Sequence, residues 1–276
     1  MLAIFYTRGF TESTMKRIII IMAGLFVFEA CNNAKNKVAI KPVTYHDLTN
    51  ENLKGDIQTI EETPYKVDST GKMGDMDSCC ISISEYDKNG NKTKSISKDH
   101  KGTVKSEIVY TRHVNGMWKT VSKIIDGKKR LVFDSQLDKD GKWVGEGVYD
   151  SAGKFKSYYI ITPNEYGQVL AWKEYDKDSV FKGEGEIKYD RNLLLERTDK
   201  DSAGKIKLTM SAKYNDRGGQ TEVTKSIAGK DSTTTGVIKY SYDSHDDMGN
   251  WTQRTEWNDK DKATKIIKRV YTYGKK

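Results

Sequence analysis

Tyr149-Asp150-Ser151-Ala152-Gly153-Lys154 is the stretch whose reading decides the fold. An Asp in this place opens a turn by bonding its own backbone, and a Gly supplies the positive φ that closes it. The chain rewrites the stretch many times. Tyr86-Asp87-Lys88-Asn89-Gly90-Asn91 is one version and Tyr214-Asn215-Asp216-Arg217-Gly218 is another. One series of turn centres is Gly90, Gly116, Gly141, Gly167, Asn192 and Gly218. Its members recur every about 25 residues, a fixed period of the length that repeat architectures use. A second series, with the same period, is Gly102, Gly127, Gly153, Asp178, Gly204 and Gly229. The two interleave, so successive turns lie alternately about 12 and about 14 residues apart. Asn192 and Asp178 stand where the others have Gly, and both residue types tolerate positive φ.

Turns so spaced leave strands of about 7 to 10 residues, close to the usual length. The residues between them alternate with period 2. Ile206, Leu208, Met210, Ala212 and Tyr214 share one face, and Lys207, Thr209, Ser211 and Lys213 share the other. Ile238, Tyr240 and Tyr242 alternate with Lys239 and Ser241, and Trp143, Gly145, Gly147 and Tyr149 again share a face. One packed and one wet face is the mark of an antiparallel sheet. The expectation is an all-β, up-and-down meander of 25–26-residue hairpin repeats over residues 47–276, with roughly 15 or 16 strands. Open sheets rarely exceed about 10 strands without curling. The array is therefore expected to curl into an arch or open spiral with its apolar strip inside.

The register breaks twice. Gly71 to Gly90 and Gly229 to Gly249 outrun the longer of the two regular spacings, by about five and about six residues. The extra residues fall around Met73-Gly74-Asp75-Met76-Asp77 and within Tyr242 to Asn250. Terminal repeats cap a stack and are commonly irregular, so both are read as caps; binding loops are the other reading. Upstream, a single helical turn is expected before Gly55, and Asp56 to Thr63 is the first candidate strand.

Residues 1–30 read as a signal peptide with its start at Met15: Lys16-Arg17, an apolar run from Ile18 to Phe28, then Ala30-Cys31. The apolar run is too short to span a bilayer, which takes about 20 residues of helix. Cys31 after the cleavage point resembles the acylated cysteine of a bacterial lipobox, although Glu29 departs from that pattern. Residues 31–46 then form a lipid-bearing, polar, lysine-rich tether.

The 276 residues are 36% hydrophobic and 31% charged, lean for one thick core. Mean hydropathy is −0.73. The 16 Tyr and 5 Trp argue against disorder. Net charge is +8, but Lys alternates with Asp and Glu and no basic block exists, so no nucleic-acid partner is expected.

The Tyr-Asp turns resemble the YD repeats of Rhs and teneurin shells. The whole layout is similar to repeat lipoproteins of Bacteroidota. Carrying that likeness are Cys31, Leu53-Lys54-Gly55, Tyr65 to Gly71, Gly249-Asn250-Trp251-Thr252-Gln253-Arg254 and Arg269-Val270-Tyr271-Thr272-Tyr273. The resemblance implies a β-meander and a cell-envelope, outer-membrane location, and no activity. Seven or so hairpins are too few to close a large cavity, so enclosure of cargo is not expected.

Catalytic and metal chemistry find little support. His46, His100, His113 and His245 lie apart from one another and from Cys at ligand spacing. No Ser/His/Asp or Cys/His set stands out. Adjacent Cys79 and Cys80 point to opposite faces of a strand and read as one buried and one edge thiol; a bridge between chains is an alternative, and a bond between the two would need strained geometry. Acid-rich turns read as turn chemistry, with Asp243, Asp246 and Asp247 as the best calcium candidate. No cofactor is expected.

The aromatics recur beside turns, which reads as cover for the ends of a thin core. The sharper reading is a stacking platform. It would stand at Tyr242, Trp251 and Trp257, with Asp243, Asp246 and Asp247 accepting sugar hydroxyls. The sequence thus points to a non-catalytic binding or scaffolding module for glycan or envelope protein, held to the membrane by its lipid. The alternative is an enzyme whose site is formed by the irregular end loops.

Overall fold

A computed structural model describes residues 44–78, 80–229 and 232–274. One short helix, α1 (Asp47–Asn50), precedes seventeen strands. These are β1 (Ile57–Val67), β2 (Met73–Met76), β3 (Ile81–Tyr86), β4 (Lys92–Lys98), β5 (Val104–Arg112), β6 (Trp118–Ile125), β7 (Lys128–Leu137), β8 (Trp143–Tyr149) and β9 (Phe155–Pro163). There follow β10 (Val169–Asp176), β11 (Phe181–Asp190), β12 (Leu193–Asp201), β13 (Ile206–Tyr214), β14 (Gln220–Ala228), β15 (Thr233–His245), β16 (Trp251–Trp257) and β17 (Ala263–Tyr273).

The turns are built as their residues dictate. Asp150 Oδ1 accepts from the backbone N–H of Ala152 at 2.8 Å and of Lys154 at 2.9 Å. The Gly153 N–H donates to the Asp150 carbonyl at 2.9 Å. The same bonds recur at Asp87, Asp99, Asp138, Asn164, Asp201, Asn215 and Asp246. Two expected turn centres move by one residue. Positive φ falls on Ser179 (64°) and Arg191 (53°), not on Asp178 and Asn192.

The sheet is neither an arch nor a spiral, because it closes. β1 pairs antiparallel with β17 from Ile57↔Tyr273 to Tyr65↔Ile266. Its other edge pairs with β3, from Thr59↔Glu85 to Glu62↔Ser82. With β2 outside the ring, β1 and β3–β17 make a barrel of 16 antiparallel strands. The interleaved turn spacing accounts for the geometry. Each longer span outruns the shorter one before it, so successive hairpins slide the same way. That slide is the strand stagger a closed barrel requires. Closure also removes the free edges of an open sheet.

Strand takes up most of both register breaks, and the closed ring offers no stack end for them to cap. The first holds β2, which folds back on the end of β1 through Tyr65↔Met76 and Val67↔Met73. The second is absorbed by β15, the longest strand at 13 residues. Cys80 is exposed, has positive φ (76°) and is disulfide-bonded, so it is not a free thiol. Cys31 and Cys79, like the signal peptide and most of the tether, lie outside the described residues.

Simple alternation fails near the turns. A register shift follows almost every turn and reverses the faces of the residues next to it. Ile206 pairs with Lys200, and so joins the outer face rather than that of Leu208 and Met210. Trp143 pairs with Leu137 and touches Trp118 at 5.5 Å, so it turns away from Gly145 and Gly147.

Inner and outer faces are unlike. Outside, charged pairs bridge neighbouring strands: Lys94–Glu107 at 2.7 Å, Lys188–Glu196 at 2.6 Å and Lys213–Glu222 at 2.8 Å. A transmembrane barrel carries an apolar band there instead. No helix among the described residues is long and apolar enough to cross a membrane. A small core cluster, Leu48, Ile57, Ile60 and Tyr86, ties α1 to the inner face where the ring closes.

Candidate functional site

Residues 45–54 lie across one mouth of the barrel, bonded to turns from around its rim. The Tyr45 N–H donates to the Asn115 carbonyl at 2.8 Å, and its hydroxyl donates to the Gly167 carbonyl at 3.3 Å. The Leu48 N–H donates to Gly90 O at 3.1 Å, and Asn52 Nδ2 donates to Arg217 O at 2.5 Å. Asn250, 3% exposed, accepts from the Lys54 N–H at 2.8 Å and returns a bond to the Lys54 carbonyl at 2.9 Å. Gly116 (φ 85°) has to be glycine: a Cβ there would collide with the Tyr45 carbonyl.

Two ion pairs fasten this plug to the inner wall. Asp47 Oδ2 accepts from Arg112 at 2.5 Å, and Arg112 also donates to the Gly116 carbonyl at 2.9 Å and to the Lys92 carbonyl. Glu51 meets Lys92 at 3.0 Å. Burial alone would lower the Lys92 pKa, but the Glu51 charge and hydrogen bond, with the Tyr86 and Tyr110 hydroxyls, together outweigh it and hold the amine protonated. Burial, then the Glu51 charge, keep the nearby Tyr86 hydroxyl from ionising.

At the opposite mouth the turn glycines have no such neighbours among the described residues. A Cβ built at Gly71, Gly102, Gly127, Gly153 or Gly204 would meet nothing within 4 Å. At the plugged mouth, Gly90, Gly116, Gly218 and Gly249 all have neighbours from residues 45–54.

The inner wall carries a polar and aromatic cluster on β8 to β12. Tyr159 meets Trp172 edge-on at 5.5 Å, and the Arg197 guanidinium lies 5.7 Å from the Trp172 ring. Arg197 is 4% exposed and grips Asp199 with two bonds of 2.6 and 2.5 Å. Trp172 lies against Gly185, where any side chain would strike its ring. Burial first, then the Asp134 charge, push the Glu146 carboxyl up to about 8. Burial and the Glu174 charge raise Tyr159 in turn. Among the described residues, Ser157 Oγ and Trp172 Nε1 are buried and have no hydrogen-bond partner. The cluster can offer and accept hydrogen bonds. It was missed because its members come from five strands, each with ordinary alternation.

The six residues singled out in the sequence do not form one site. Tyr242 and Trp251 face inward, 6.0 Å apart, with Trp251 against Arg254 (4.9 Å) and Arg269 (3.8 Å). Trp257 and Asp243 are on the outer face. Trp257 Nε1 donates to Ser241 Oγ at 3.1 Å, and Asp243 accepts from Ser241, Gln253 and Thr255. Asp246 opens its turn and accepts from the Tyr273 hydroxyl. Asp247 borders a shallow cleft with Gly55, Asp56, Met248 and Tyr273. The barrel wall thus separates the inward pair from Trp257 and Asp243.

No family model matches the chain, and no curated protein sequence matches it. Among solved structures, a porin-like protein from Bacteroides uniformis is 12% identical and superposes with a TM-score of 0.51, covering 78% of this chain and 98% of that one. A Photorhabdus luminescens Tc holotoxin pore is 10% identical over 75% of this chain and 11% of that one, with a TM-score of 0.31. A porin-like protein from Bacteroides vulgatus is 12% identical over 79% and 99%, with a TM-score of 0.21. The first likeness is one of fold, and the other two support no argument.

Proposed function

We propose that the protein is a non-catalytic binding or scaffolding module of the cell envelope, tethered by a lipid on Cys31 and taking a glycan or envelope protein at its unplugged end. The observation that carries this is the asymmetry of the mouths: one is sealed by residues 45–54, and nothing described covers the other. From Cys31 to Tyr45 the chain reaches at most about 50 Å, so the sealed mouth is the one held toward the membrane. The charged outer face suits a barrel that stands in water, not one sunk in lipid. The enzyme alternative needs a site in loops at the two register breaks, and strand takes up most of both.

Cell fractionation tests the address. Wild-type chain is expected in the membrane fraction and Cys31→Ser in the soluble one. A Cys31→Ser chain that stays in the membrane would overturn the tether. A glycan array and a crosslinking survey of envelope proteins test the binding role, with a chain that retains neither class as the contrary result.

A further inference from the structure

We propose that residues 233–238 of β15 are a strand-addition site, which takes an extended segment of another protein carrying an aromatic side chain opposite Gly236. This rests on the binding-module reading and names the partner class.

The second register break is the source of the site. β15 pairs with β14 over residues 233–239, from Glu222↔Lys239 to Ala228↔Thr233. β16 reaches β15 only from Lys239↔Trp257 onward. Residues 233–238 therefore overhang β16, and that side has no strand partner among the described residues. A row of backbone N–H and C=O groups left open in this way is complemented by another strand.

The overhang is unguarded. Thr233-Thr234-Thr235-Gly236-Val237-Ile238 has no charge and no proline, and all but Gly236 are β-branched. The same barrel guards a comparable overhang elsewhere. β7 extends past the first β8 pair, Phe133↔Val148, with Lys128, Lys129 and Arg130, and Arg130 bonds the Ser151 carbonyl. Charged residues on an edge are how proteins refuse a passing strand.

The barrel also shows what the missing strand should carry. Inside the wall, Trp172 of β10 covers Gly185 of β11, and its ring is met by Arg197 of β12. On β15, nothing lies within 4 Å of the Cβ position of Gly236. Its partner on β14 is Lys225, exposed on the same inner face and in no ion pair with a described residue. Ile227 and Ile238 flank the hollow, 46% and 43% exposed. An aromatic from the incoming strand would cover Gly236, meet Lys225 and bury both isoleucines. A second copy, pairing this segment with itself, brings nothing larger than isoleucine to Gly236.

The test uses the full chain and a labelled peptide, KTVTWTVTK, beside its counterpart KTVTGTVTK. Within 233–238, the alternate amides that point away from β14 are expected to exchange fast in the protein alone and to be slowed by the tryptophan peptide, while those bonded to β14 stay slow throughout. The glycine peptide should bind about tenfold more weakly. Thr233→Lys with Thr235→Lys should weaken the tryptophan peptide about as much while leaving the melting temperature unchanged. Gly236→Phe fills open space, should fold, and should erase the preference for tryptophan. Equal affinity for the two peptides would overturn the proposal. So would slow exchange at those open-edge amides in the protein alone, or a dimer protected there, which would make a second copy the occupant. A glycan or envelope partner retained by a chain that fails these tests would leave the binding-module reading standing.

Discussion

The Tyr271 hydroxyl donates to the Trp251 carbonyl oxygen at 2.8 Å, across 20 residues of chain. β16 pairs with β17 only from Gln253↔Lys268, so the sheet leaves this carbonyl without a strand partner. The arrangement recurs around the plugged mouth. Tyr242 bonds Gln220 O at 2.9 Å, Tyr214 bonds Leu194 O at 2.8 Å, and Ser135 and Arg112 do the same for Trp118 and Lys92. The tyrosines of the repeat thus satisfy carbonyls that the stagger strands.

Tyr271→Phe, Tyr242→Phe and Tyr214→Phe should each lower stability by about 1–3 kcal/mol, the cost of a buried acceptor left unmet. Tyr166→Phe is the control, since Tyr166 is 68% exposed and should change stability by no more than about 0.5 kcal/mol. Urea midpoints decide; a control as damaging as the three would remove the carbonyl explanation.

Much of this architecture was legible, because its signals are local. Asp150 and Gly153 specify a turn without reference to the rest of the chain, and the constant period of such turns then orders the meander. Closure was not legible. Glu62 and Arg269 meet at 2.6 Å, and neither strand differs in pattern from its neighbours. The candidate site was half legible for a related reason. Tyr242 follows its strand's alternation and faces inward, but a face read by counting twos from one strand into the next is lost wherever the register slips. Such slips separate Trp251 from Trp257 and set Trp143 apart from Gly145.

Leu48 is the apolar anchor of the plug, 8% exposed between Gly90 and the Ile57–Ile60 cluster. Leu48→Ala should cost about 2–5 kcal/mol if the plug and barrel unfold together. If the plug opens alone, the expected sign is faster amide exchange at Gly90, Gly116 and Gly218 with strand amides unchanged. Unchanged exchange at these turns, with unchanged stability, would show that residues 45–54 do not seal the mouth.

Glu146 should make the protein less stable as pH rises. Its folded pKa of about 8 lies above the ordinary carboxyl value, so the native state binds a proton that the unfolded state has released. Stability is then full below the ordinary carboxyl pKa and declines as pH climbs toward 8. Glu146→Gln should remove the decline and gain about 1–3 kcal/mol at pH 8, with little gain at pH 4. Parallel stability profiles for the two proteins would contradict this.

Arg269 holds the seam between the first and last strands. It bonds Glu62 at 2.6 Å, and its guanidinium lies 3.8 Å from the Trp251 ring. Arg269→Ala loses both contacts, and since Glu62 is 34% exposed and open to water the cost should be about 2–3 kcal/mol. Glu62→Gln should cost less, because the amide oxygen can still accept from Arg269 and the Trp251 contact is kept. Denaturation midpoints in the order wild type, Glu62→Gln, Arg269→Ala are expected; the reverse order of the two variants would place the seam's strength elsewhere.

Because the ring closes between its own first and last strands, time enters the structure. The Gly274 N–H donates to the Asp56 carbonyl at 2.8 Å, so the two extremes of the barrel are neighbours. A chain made from its amino end holds β1 with one edge bare until β17 arrives, a wait of 207 residues as measured from Glu62 to Arg269. For that interval the growing sheet is a ribbon with two sticky margins, and any holding factor must guard both. A circular permutant that joins residue 274 to residue 44 through a linker long enough to cross the mouth, and opens the chain at Gly153, would move the wait to another seam and leave the finished ring the same.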